Sequence, residues 1–86
     1  MKNAYDETLD KQEYEKLLRQ AIEDEYQKAM IIEVLKDGPM SVQEMAGKIG
    51  LSVYSVSLRL NELERSGQAG LSGYEGRIPK FISLAA

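Results

Sequence analysis

The chain contains no cysteine and no histidine among its 86 residues. The first absence excludes disulfides, zinc-finger spacing and a thiol nucleophile, and the second removes the usual general base. A cysteine-free chain is compatible with a reducing cytosol. Long apolar runs are missing as well, since no stretch approaches the roughly 20 apolar residues of a membrane-spanning helix. The polar segment from Met1 to Asp10 lacks the apolar core of a secretory signal. A soluble, cytoplasmic protein with no membrane partner is the expectation. No pair of groups suits acid–base catalysis, so neither an enzyme nor a cofactor is expected.

What is present fits one small folded domain. The hydrophobic share is 43% and the charged share 29%, values typical of soluble globular chains. A domain of this size buries only about 60% of the surface its unfolded chain exposes, so the core is modest. The net charge is −3 and unevenly placed: residues 1–37 carry six basic and ten acidic groups, residues 38–86 five and four. Such a balance argues against strong non-specific nucleic-acid binding, which needs several cations facing phosphates.

From about Leu9 to Lys36 there is neither Gly nor Pro, and helix formers dominate. Apolar residues at Tyr14, Leu17, Leu18, Ala21, Ile22, Tyr26, Ala29 and Met30 follow helical steps. This is one long helix or two helices bent near Glu23–Glu25. The run from Met30 to Leu35 is apolar nearly all round and is expected to be buried on more than one side. Asp37-Gly38-Pro39 ends it.

Ser41 and Glu44 form an S-x-x-E capping box for a second, short helix, with Val42, Met45, Ala46 and Ile49 as its apolar face and Gly50 as its close. Ser52 caps a third helix, in which Val53, Val56, Leu60 and Leu63 are expected to form one buried stripe. Gly67 ends it. Beyond lie strand-like segments, residues 69–72 and 78–84, joined by a loop over residues 73–77. Pro79 belongs at a strand start or an edge, and Met40 is a candidate for a short third strand. The expected class is mainly α with a small β-hairpin: an acidic helical extension over residues 1–22 and a domain over residues 23–86.

This order of elements resembles the winged helix-turn-helix domain of MarR-like and ArsR-like regulators. The matching residues run Asp37-Gly38-Pro39-Met40-Ser41-Val42-Gln43-Glu44-Met45-Ala46, then Ile49-Gly50-Leu51-Ser52, Val56-Ser57, Leu60, Leu63 and Gly67. The resemblance implies a regulator of transcription that binds double-stranded DNA, its third helix in the major groove and its wing on the backbone. By position, the groove-facing residues would be Val53, Tyr54, Ser55, Ser57, Leu58 and Arg59. Ser52 would bond phosphates or bases, and Lys48, Arg77 and Lys80 would contact phosphates.

Other readings stand beside these. Arg59 either pairs with a guanine edge or with Glu62 or Glu64 of its own helix. Tyr54 and Leu58, one turn apart, form an exposed apolar pair that also suits a protein partner, which makes an interaction module without DNA binding the alternative function. Tyr14, Leu17, Leu18, Ala21 and Ile22 either pack on a twin subunit or fold back on their own domain. A homodimer through them is expected because only Leu84-Ala85-Ala86 follow the wing. Gly70, Gly73 and Gly76 suit a hairpin and lack the Gly-Lys-Ser/Thr ending of a phosphate loop. Glu23, Asp24 and Glu25 lie on different helix faces and read as a solvated charge run, so no metal site is expected.

Overall fold

The Gly- and Pro-free segment forms a single helix, α1 (Lys11–Leu35), without a bend into two elements. The computed structural model describes residues 11–85, so the first ten residues of the expected extension lie outside the described residues. No backbone break marks the expected boundary at residue 22. What changes there is burial, because every residue from 11 to 23 is exposed and contact with the rest of the domain begins at Asp24. At the other end Ile31 and Leu35 are buried, with Ile32 and Val34 packed beside them. The helix tightens as it stops: the amides of Lys36, Asp37 and Gly38 donate to the carbonyls of Glu33, Val34 and Leu35. Gly38 leaves at φ 133°, a value that favours glycine.

Helix α2 (Val42–Ile49) starts as its capping box dictates. The Glu44 amide donates to Ser41 Oγ at 3.1 Å, and the Ser41 amide donates to Glu44 Oε1 at 2.9 Å. Ser41 is itself buried, so these bonds satisfy groups that water does not reach. Gly50 closes α2 in the left-handed conformation. Helix α3 (Val53–Arg65) starts at Ser52, whose Oγ accepts from the Ser55 amide at 3.0 Å. It ends in a Schellman turn, with the Gln68 amide on the Leu63 carbonyl and the Gly67 amide on the Glu64 carbonyl.

The hairpin is longer and its turn tighter than the sequence suggests. Strands β1 (Ala69–Glu75) and β2 (Ile78–Ser83) pair antiparallel up to Glu75↔Ile78. Only Gly76 and Arg77 remain for the turn, and Gly76 carries the positive φ of the first position of a type II′ turn. A bulge between Leu71 and Gly73 shifts the register, so alternation in β1 is broken and the sequence pattern underestimates the strand. Pro79 sits second in β2, opposite Tyr74. Met40 contributes an isolated bridge to Phe81, with both backbone bonds made, at 3.0 and 2.8 Å.

All five elements meet in one core: Ile31 and Leu35 from α1, Met45 and Ala46 from α2, Val56, Leu60 and Leu63 from α3, with Met40 and Ala69 at the hairpin base. The stripe expected on α3 holds for its last three members only. Val53 is 46% exposed. At 3.6 residues per turn it lies about 55° round from the centre of the other three, and it occupies the first turn, where the helix is just beginning. Val56→Ala is therefore expected to cost about 2 kcal/mol and Val53→Ala less than about 0.5 kcal/mol. Ser41→Ala should cost about 1 kcal/mol. Urea denaturation followed by circular dichroism measures all three.

Candidate nucleic-acid interface

Because Val56, Leu60 and Leu63 turn inward, the opposite side of α3 faces water. Tyr54 is 75% exposed and Leu58 38%, one turn apart, with Ser57 exposed beside them. Asn61 and Arg65 are exposed further along the same line. Sequence reasoning missed these two, although the spacing 54, 58, 61, 65 is that of one helix face. Ser52 and Ser55 are occupied with each other at the cap, hydroxyl to hydroxyl at 3.1 Å, which leaves Ser57 as the unpartnered serine of this face among the described residues.

Arg59 does not lie on the outward face. Its side chain is 13% exposed and turned toward α1. All three guanidinium nitrogens are engaged: Nε donates to Gln27 Oε1 at 3.3 Å and Nη1 to Glu62 Oε1 at 2.9 Å, while Nη2 forms an ion pair with Asp24 Oδ1 at 3.2 Å. The expectation that Arg59 looks out beside Tyr54 is thus corrected, and the pairing with Glu62 is what the structure shows. Position 59 is one residue past the outward line, on the flank against which α1 packs. Lys28, paired with Glu25 at 2.9 Å, borders the same contact. That hydrogen bond with Glu25 raises the Lys28 pKa. The acidic run is dispersed in the same way: Glu23 accepts from Gln27, Asp24 pairs with Arg59 and Glu25 with Lys28.

At the hairpin, Arg77 occupies the turn and is exposed, between the exposed Tyr74 and Ile78. Lys80 is drawn inward instead. Its ammonium lies 2.8 Å from Glu44 Oε1 and 3.0 Å from Glu75 Oε1, and the side chain is 19% exposed. Glu44 Oε1 therefore accepts both from the amide that starts α2 and from the wing lysine. The hydrogen bond from Lys80, and next the one from the Ser41 amide, pulls the Glu44 pKa from 4.5 down to about 2. Reciprocally, Glu44 first and Glu75 second raise Lys80. Lys48 is exposed at the end of α2 and borders a cleft lined by Met30, Glu33, Val34, Asp37 and Ile49. The structure thus gathers Tyr54, Ser57 and Leu58 on one helix face, and it engages Arg59 and Lys80 internally.

Sequence comparison then decides the family. The model of winged helix-turn-helix DNA-binding domains matches residues 23–68, more than half of the chain. The chain belongs to this winged helix-turn-helix family. Among solved structures it is similar to the Zalpha domain of PKZ from Carassius auratus, crystallised in complex with Z-DNA. The two are 26% identical with a TM-score of 0.64, over 71% of this chain and 97% of that one. A comparison with curated protein sequences returns no match. No helix among the described residues of this winged helix-turn-helix chain is long and apolar enough to cross a membrane.

Two measurements check this geometry. A carboxylate held below its ordinary pKa stabilises the fold fully above that ordinary value and loses its contribution as pH falls toward the folded one. The stability gap between the natural chain and Glu44→Gln should be constant above about pH 5.5 and close as pH falls from there toward 2. Arg59→Ala should lower unfolding free energy by about 1–2 kcal/mol by leaving its charged partners unmatched; chemical denaturation reads it directly.

Proposed function

We propose that this winged helix-turn-helix chain binds duplex DNA, with the outward face of α3 against the base edges and Arg77 at the hairpin turn on the backbone. The observation that carries the reading is the exposed line Tyr54, Ser57, Leu58 and Asn61, together with an exposed arginine in the hairpin turn, in a chain of a DNA-binding family. Asn61 has the donor and acceptor pair that matches an adenine edge. Leu58 and the Tyr54 ring offer apolar contact to thymine methyls or base faces. The similar Zalpha domain, solved with Z-DNA, supports a duplex partner, and the likeness to MarR-like and ArsR-like regulators supports a regulatory role. Lys48 serves as a peripheral phosphate contact, while Ser52 stays with the helix cap and Arg59 and Lys80 with their partners in the chain.

A second reading is favoured by one specific observation. With Arg59 and Lys80 paired within the chain, the large apolar side chains exposed on α3 and the hairpin include Tyr54, Leu58, Tyr74 and Ile78. An aromatic–aliphatic surface of this kind also suits a protein partner.

Fluorescence anisotropy at low salt, with mixed-sequence duplexes and with alternating C–G duplexes held in the left-handed form, separates the two. Binding to either form in the micromolar range is expected. Asn61→Ala should weaken it by about 1–3 kcal/mol on adenine-containing sites. Arg77→Ala should weaken all sequences alike and reduce the salt slope by about 1. No binding to either duplex at low salt would overturn the DNA reading in favour of the protein one.

A further inference from the structure

The first half of α1 carries an apolar face with no partner among the described residues. Tyr14, Leu17, Leu18 and Ile22 are 58%, 59%, 47% and 62% exposed, and Ala21 is exposed among them. Among the described residues, the stripe does not fold back on the domain. On the helix, the line through Lys11, Tyr14, Leu18, Ile22 and Glu25 is centred about 120° round from the buried pair Ile31 and Leu35, at 3.6 residues per turn. A continuous helix cannot turn both faces to one core.

The line is symmetric about Leu18. Tyr14 and Ile22 stand four residues to either side, and Lys11 and Glu25 seven. The end charges are opposite. We infer that the occupant of this face is a second copy of the chain, its α1 antiparallel to the first with the two-fold axis at Leu18. Leu18 then meets Leu18 of the second copy, Tyr14 meets Ile22, and Lys11 meets Glu25, each of the last two pairs occurring twice. On one flank Glu15 comes opposite Arg19 of the second copy, again with opposite sign. The other flank is Leu17 and Ala21. A parallel pairing would instead place Lys11 on Lys11 and Glu25 on Glu25, and like charges at close quarters oppose association.

Glu25 is available for this exchange, because its bond to Lys28 is a surface contact and its side chain is 75% exposed. Of the line, Lys11, Tyr14, Leu18 and Ile22 lie in a segment that is exposed throughout, residues 11–23. Four large side chains and their neighbours, each roughly half exposed, supply on the order of 500 Å² per partner, below the 800 Å² of a standard interface. The dimer is accordingly concentration-dependent, with a dissociation constant of about micromolar order.

Sedimentation equilibrium on the full chain, without DNA, tests this independently of any nucleic-acid role. A monomer–dimer equilibrium between about 1 and 100 µM is expected. Leu18→Glu should abolish it while leaving the helical circular dichroism unchanged. Lys11→Glu and Glu25→Lys should each weaken it about tenfold, and the double exchange should recover most of that loss. A chain that stays monomeric throughout this range would overturn the inference. So would a double exchange no better than the single ones, which would sink the antiparallel register.

Discussion

The guanidinium of Arg59 sets the geometry on which the rest of the molecule depends. It joins α3 to α1 through Asp24 and Gln27, and it is braced from its own helix by Glu62. An arginine suits this position because its planar fork reaches three acceptors at once, which a lysine cannot do. The contact fixes the last place where α1 touches the domain. Among the described residues, those before Asp24 are exposed, and beyond Gln27 the helix turns Ile31 and Leu35 into the core. The same contact turns a positive charge away from the outward face of α3, where Tyr54 and Leu58 are exposed.

Much of the architecture was legible in the sequence because caps are local chemistry. Ser41 with Glu44, Ser52, Gly50 and Gly67 each state a helix end through bonds made within a few residues, and all four behave as written. The core triad Val56, Leu60 and Leu63 followed from spacing alone. Val53 did not, because periodicity describes angles on a cylinder and says nothing of where a helix begins relative to its neighbours. The hairpin was underestimated for a related reason: the bulge between Leu71 and Gly73 breaks the period of two on which strand recognition rests.

The candidate site was less legible, and the reason is electrostatic. Which way Arg59 and Lys80 turn depends on acids distant in the chain: Asp24 lies 35 residues before Arg59, and Glu44 lies 36 before Lys80. No local pattern encodes those encounters. Asn61 and Arg65 extend the same face into the later turns of α3, beyond the first turns in which a groove-reading helix makes its base contacts. The stripe on α1 was visible as periodicity, but only its angle relative to Ile31 and Leu35 shows that it belongs to a different surface.

A single carboxylate oxygen, Oε1 of Glu44, receives both the amide that opens α2 and the ammonium from the wing. Hairpin and helix start therefore share one acceptor. An anion strong enough to draw Lys80 outward would strip a bond from that oxygen and leave the Ser41 amide a less crowded, more basic partner. Movement of the wing is in this way transmitted to the element lying behind α3, and the lysine acts as a tether between layers rather than as a grip on the outside world.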